Sequence, residues 1–310
     1  MAAHHQPVRS GSASTVAAHD RRHVPSSVVA ALKDRGGAAR WADLADAASP
    51  RRLRRALELG VVTAIAPGVY FLPGTPLPVV TAVVHRGRLT CISAAEHLGI
   101  AVLEPPRVPH LAVPRSRGRS GSALRDSHPA RLHRAGQDAT VEGPPVVPLV
   151  EALARMLVCL PPQHALVAVD AALAQGRVTT AAVRAALPDG ARAAAVLLNA
   201  DGRSQSPTET LARLALRAAG VSVEPSVHIS GVGWVDLLVE RCVVVELDGF
   251  AYHSGRKEYR EDRRRDRELV RQGYVVLRFT YEDVMRDPQV VVSAVRAVLV
   301  RSAARPQPRA

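Results

Sequence analysis

The chain has 310 residues, nearly half of them apolar, with aromatics at 3% and a formal charge of +13. That length points to two or three domains, with cores made mostly of Ala, Val and Leu. The charge favours a polyanionic partner over an acidic protein or a small substrate, and no apolar run approaches the ~20 residues of a bilayer span.

Lys33 and Lys257 are the only lysines among 41 basic residues. Such arginine and alanine usage is also the style of a GC-rich genome, so charge alone does not decide the partner. Residues 1–25 lack the apolar segment of a signal peptide and are expected to form a disordered tail, in which His4, His5 and His23 are incidental.

Residues 26–75 follow. Val28, Val29 and Leu32 carry a first helix, and Trp41, Leu44 and Ala45 a second. Ser49-Pro50 is an N-cap followed by proline at the first helical position, which opens a third helix through Leu59. Gly60 ends it. "VVTAIAPGVYFLPG" is a hairpin with Pro67-Gly68 at its turn. This order is that of a winged helix-turn-helix. In the third helix Leu53, Ala56 and Leu57 face the core, leaving Arg51, Arg52, Arg54 and Arg55 outward for guanine edges or phosphates of duplex DNA. A solvated basic face is the alternative. "LRRALELGVVTAIAPGVYFLPG" resembles the N-terminal domain of AbiEi-type antitoxins of abortive-infection systems.

Residues 76–200 are expected to be a mixed, mainly helical middle region. "CISAAEHLGI" reads as a helix and "VPHLAVP" as a short strand. "RSRGRSGSALRDSHPARLHR" reads as a basic loop leading to another strand, and helices follow through "LVEALARMLVCL", "QHALVAVDAALAQG" and "TTAAVRAAL". Cys91, Cys159 and Cys242 lie far apart in apolar surroundings without CxxC spacing. They read as reduced core residues of a cytoplasmic protein. Glu96, His97, His110, His128 and His133 show no metal-ligand spacing.

"NADGRSQSP", at 199–207, reads as a linker into a domain at 201–303, with 304–310 as a tail. A helix from Pro207 to about Ala219 leads to strands at about 223–229, 233–239 and 242–248. A helix at about 256–272, the strand "YVVLRFT" and a last helix near Pro288 complete αβββαβα. The expected fold class is therefore α+β or α/β, multidomain.

Glu246 and Asp248, two apart on a strand, project from one face. A tight hairpin at Glu240-Arg241 sets Asp236 opposite Val245 and diagonal to Glu246, with a one-residue slip as the alternative. Three such carboxylates repel one another and are most simply kept ionised by a hard divalent cation, Mg2+ or Mn2+. A cation held there polarises a phosphodiester and acidifies a water.

"VDLLVERCVVVELDGFAYHSGRKEYREDRRRDRELVRQGYVVLRFTYEDV" resembles the very-short-patch-repair-like endonucleases of the PD-(D/E)xK superfamily, over roughly Ser204 to Leu299. The resemblance implies a restriction-endonuclease-like domain with Mg2+-dependent endodeoxyribonuclease activity. Asp236 and Glu246 fall on its metal-binding acids, and Asp248 stands where the superfamily name places lysine. His253 is then the expected general acid or base, with Lys257 as the alternative, replacing the missing lysine by stabilising charge on the phosphorane. Glu209 on the first helix either joins the metal site or caps its own helix through S-x-x-E.

In "EYREDRRRDRELVRQG", Tyr259, Asp262, Asp266, Leu269 and Val270 share one helical face. Asp262 and Asp266 brace the site from behind, or Arg265 beside them binds the scissile phosphate. Arg263, Arg264, Arg267 and Arg271 point outward. Two readings follow: a cytoplasmic DNA endonuclease of repair or defence, or a non-catalytic DNA-binding regulator of antitoxin type. An RNA-directed or tRNA-directed nuclease is a third. The oligomeric state is open.

Overall fold

The structure is a computed structural model that describes residues 26–46, 48–115, 122–134, 145–188, 191–248 and 256–303. Both expected tails, part of the basic loop and His253 lie outside the described residues.

The elements in chain order are α1 (Ser26–Lys33), β1 (Ala38–Arg40), α2 (Trp41–Leu44), α3 (Pro50–Glu58), β2 (Thr63–Ala66), β3 (Val69–Phe71), α4 (Leu77–Val84) and β4 (Arg88–Leu89). Then come α5 (Cys91–His97), β5 (His110–Val113), α6 (Ala123–Asp126), β6 (Arg131–Arg134), α7 (Leu149–Cys159), α8 (Pro162–Ala174), α9 (Thr180–Ala185) and α10 (Ala191–Leu197). The chain closes with α11 (Pro207–Ala218), β7 (Val223–Ile229), β8 (Gly233–Val239), β9 (Val243–Asp248), α12 (Arg256–Arg271), β10 (Val275–Thr280), α13 (Tyr281–Arg286) and α14 (Gln289–Ala303). Two compact units interleave along the chain: residues 1–89 with 111–146, and residues 90–110 with 147–310. Among the described residues no helix is long and apolar enough to cross a membrane.

In the first unit, Ser49 Oγ accepts the Arg52 amide at 3.4 Å, with Pro50 as the first helical residue of α3. That satisfies one of the four amide donors left over at a helix start. Leu53 and Ala56 of α3 are buried with Val28, Leu32, Leu44 and Val62. The hairpin β2–β3 gains a third strand, in the order β1-β3-β2, with Ala38 opposite Phe71 and Arg40 opposite Val69. Three residues are too few to show alternation, so β1 is invisible in sequence.

In the second unit, α5 and α7 to α10 enclose Cys91, Ile92, Leu153, Met156, Val169 and Leu197. The remaining elements build a four-stranded sheet in the order β10-β9-β8-β7. β9 is parallel to β10 (Val243 opposite Val275) and antiparallel to β8. Parallel neighbours need a crossover, and α12 occupies that place. Val243, Val245 and Leu247 pack with Leu216, Leu237, Phe279 and Val295. Val244 packs with Ile229, Val235 and Leu269. β9 is thus buried on both faces, which explains its unbroken apolar run.

A buried polar network ties α8 to α11. Asp170 and Arg213 are both fully buried, with Arg213 Nη2 2.6 Å from Asp170 Oδ2. Arg213 also donates to Ser204 Oγ at 2.9 Å and to the Asn199 carbonyl at 2.8 Å. Asp170 accepts from Thr210 Oγ1 at 2.9 Å and from the Asp201 amide at 2.8 Å. The segment that reads as a linker is therefore anchored: its polar residues are partners of a buried ion pair. Burial outweighs these partners and raises the Asp170 carboxyl above its ordinary range.

Candidate active site

β8 and β9 set the two central acids. Glu240 and Arg241 adopt φ of +47° and +58° at the hairpin turn, a conformation uncommon for residues other than glycine. The Cys242 amide donates to the Val239 carbonyl, and the ladder starts at Val239 opposite Val243 and runs to Leu237 opposite Val245. Cys242 is thus an extra residue between turn and ladder, and the register differs by one from the expected Asp236 opposite Val245. The shift turns Asp236 toward Glu246 on the same face.

Asp236 Oδ2 accepts the Leu247 amide at 2.7 Å. The Asp236 and Glu246 carboxyls interact closely enough for each to influence the other's titration. Glu246 is only 8% exposed. Burial first, and then the charge of Asp236, push its carboxyl up to about 7, although Arg265 and Arg278 pull the other way. Asp236 is likewise raised, chiefly by burial. Burial and a like charge nearby each disfavour the ionised form of a carboxyl.

Arginines flank the pair. Arg265 on α12 lies 3.3 Å from Glu246 Oε1 and also donates to the Trp234 carbonyl, while its Nε is buried without a hydrogen-bond partner among the described residues. Arg278, opposite Glu246 on the parallel strand β10, reaches Asp248 at 3.3 Å and Asp266 at 2.7 Å. Nothing in the sequence reading assigned Arg278 a role. Its signal is the alternation of "YVVLRFT", which puts a lone guanidinium on the face of the acids.

The strands therefore bring Asp236 and Glu246 together, while Asp248 is engaged by Arg278. Among the described residues these sheet acids do not close into a three-donor group.

Glu209 is half-buried on α11. Its amide donates to the N-cap Ser206 Oγ at 3.2 Å, while its Oε2 accepts the amide of Gln205, the residue before the N-cap, at 2.8 Å. Burial raises its carboxyl, and the charge of Asp236 adds to the rise. Both acids line one cavity of about 360 Å3, together with Gln205, Ser226, Trp234 and Val235. Glu209 thus holds the chain just before its helix, without closing the S-x-x-E box on the Ser206 amide, and lines the same cavity as Asp236.

The other expected residues are dispersed. Asp266 joins Arg278 and lies 3.7 Å from Arg263. Asp262 is half-buried on α12. Lys257 is the second residue of that helix, but its side chain, like His253, lies outside the described part. Arg51, Arg52 and Arg54 on α3 are exposed, whereas Arg55 is half-buried and pairs with Glu58 at 3.5 Å.

Residues 209–299 match the model of the REase_MTES_1575 family, a restriction-endonuclease-like family, which supports a nuclease-like C-terminal domain. The match spans α11 to α14 and so includes the acid pair and both flanking arginines. A crystal structure of the RV2827C protein from Mycobacterium tuberculosis is 17% identical over 61% of this chain and 74% of that chain. Its TM-score of 0.28 does not define a common fold. No curated protein matches the chain.

Proposed function

We propose that this chain is a divalent-metal-dependent DNA endonuclease of the cytoplasm, brought to duplex DNA by a winged helix formed by α1 to β3. The observation that carries the reading is the buried Asp236–Glu246 pair, with arginines on both sides of it. The donor chemistry fits a hard cation: two carboxylates leave room for the several waters that Mg2+ retains. Asp236 and Glu246 would hold the ion, and its charge would offset the burial and like-charge repulsion that raise both carboxyls. Mg2+ or Mn2+ bound there supplies Lewis-acid polarisation of the phosphodiester and acidifies the attacking water.

The protein's own groups do the rest. The Leu247 amide fixes the direction of Asp236. The buried Arg265 Nε, lacking a partner among the described residues, suits a phosphate oxygen. Arg278 holds Asp248 and Asp266, bracing β9 against α12 from β10. His253 would move the proton, and Lys257 would stabilise the charge that develops on the phosphorane.

Support for the winged helix comes from the order α1-β1-α2-α3-β2-β3, with the exposed Arg51, Arg52 and Arg54 on α3 for phosphates and base edges. The test is nicking of supercoiled plasmid with Mg2+ or Mn2+ by the full chain. Activity is expected from wild type and not from Asp236→Ala or Glu246→Ala. Specific DNA binding with no cleavage under any divalent cation would favour the antitoxin-type regulator, which needs only the first unit. Cleavage surviving both substitutions would place the chemistry elsewhere.

A further inference from the structure

We propose that Cys91, His110 and Cys159 in the second unit form a zinc site, separate from the carboxylate pair. The three residues come from different elements, and the donor atoms they offer (two thiol sulfurs and an imidazole nitrogen) lie within 4.8 Å of one another. Cys91 is 0% and His110 6% exposed, and Cys159 is partly buried. None of the three cysteines is in a disulfide.

A tetrahedral zinc ion with bonds of about 2.3 Å to sulfur and 2.0–2.1 Å to nitrogen separates its donors by about 3.5–3.8 Å. The observed limit is therefore within about 1 Å of coordination, a distance that small side-chain rotations close. Two thiolates and a neutral imidazole also balance the doubly charged ion, so the site buries no net charge. Mixed sulfur and imidazole donors select zinc over the oxygen-seeking Mg2+.

The backbone holds these donors in place. The Thr90 amide donates to the His110 carbonyl at 2.9 Å, and the His110 amide donates to Ser93 Oγ at 2.9 Å. His110 is thereby clamped to the first turn of α5, the turn that Cys91 begins. Cys91 sits at φ +53°, a left-handed conformation that costs a residue with a Cβ about 1 kcal/mol or more and that recurs at functional positions. Cys159 ends α7, whose Leu153, Met156 and Leu157 share a core with Cys91 and Ile92. Donors fixed by a helix start, a strand start and a helix end need little ordering before an ion enters. The fourth donor of the tetrahedron is a water or a further side chain. Binding releases the two thiol protons to solvent, and the ion then staples the three elements together.

The test uses the full chain, purified without chelator and dialysed against zinc. Elemental analysis is expected to find one zinc per chain in wild type and in Glu246→Ala, and none above background in Cys91→Ser or Cys159→Ser. Cys242→Ser keeps the metal, because Cys242 lies outside the cluster. Cobalt substitution of wild type is expected to give the intense thiolate-to-cobalt absorption of a tetrahedral site, a readout that does not depend on any variant folding. Wild type that takes up neither zinc nor cobalt overturns the proposal. So does peptide mapping that finds Cys91 and Cys159 joined as a disulfide in the protein as isolated.

Discussion

Replacing Glu246 by glutamine should stabilise the metal-free protein at pH 8 while destroying its proposed chemistry. Glu246 is 8% exposed, and its carboxyl rises from 4.5 to about 7 on folding, the pull of Arg265 and Arg278 included. A folded-state pKa raised above the unfolded value means the favourable, protonated form prevails below about 4.5 and is lost as pH climbs through about 7. At 1.36 kcal/mol per unit, the pair costs the fold about 3 kcal/mol of order by pH 8. Glutamine keeps the shape and carries no charge at any pH. Urea unfolding of wild type and Glu246→Gln at pH 5 and pH 8, with EDTA present, tests this. Wild type is expected to lose stability between the two values and the variant to lose little, so that at pH 8 the variant is the more stable by up to about 3 kcal/mol. A variant that is less stable at pH 8, or that retains the full pH dependence of wild type, would refute the reasoning.

Arg213→Met leaves Asp170 buried without its cation and should cost about 3–5 kcal/mol in urea unfolding, whereas adding Asp170→Leu should restore part of that loss. Strictly additive losses in this double-mutant cycle would show that the two residues do not act as a pair. Replacing Arg51, Arg52 and Arg54 together by alanine should weaken duplex binding at low salt and lower the salt slope of log K by about 2–3, as measured by fluorescence anisotropy. An unchanged slope would mean that α3 does not face DNA.

Local signals made much of the C-terminal half legible in sequence. Ser206-Pro207 opens α11 where the capping pattern places it, and the runs at 223–229, 233–239 and 243–248 are strands. α12 and β10 follow within a residue or two of their expected bounds. Contacts between distant segments were not legible. The slip of Asp236 into line with Glu246 depends on Cys242 standing outside the ladder, which strand periodicity cannot register. Arg278 gained meaning only when β10 paired parallel to β9 and set it opposite Glu246. The interleaving of the two units turns on residues 90–110 leaving the first unit and 111–146 returning to it, a path no composition shift marks. Asp170 did leave a visible trace, a single acid in the apolar helix "LVAVDAAL", where a charge needs a partner. Its partner Arg213 lies 43 residues away on α11. Cys91, His110 and Cys159 are likewise separated by whole elements, so no short spacing motif betrays them.

Calorimetric titration of Mn2+ into the full chain at pH 8, wild type against Glu246→Gln, tests the account most directly. The expected result is a binding isotherm for wild type and its loss in the variant while the circular dichroism spectrum is unchanged. Equal Mn2+ binding by the two proteins would contradict the claim that this pair holds the catalytic ion.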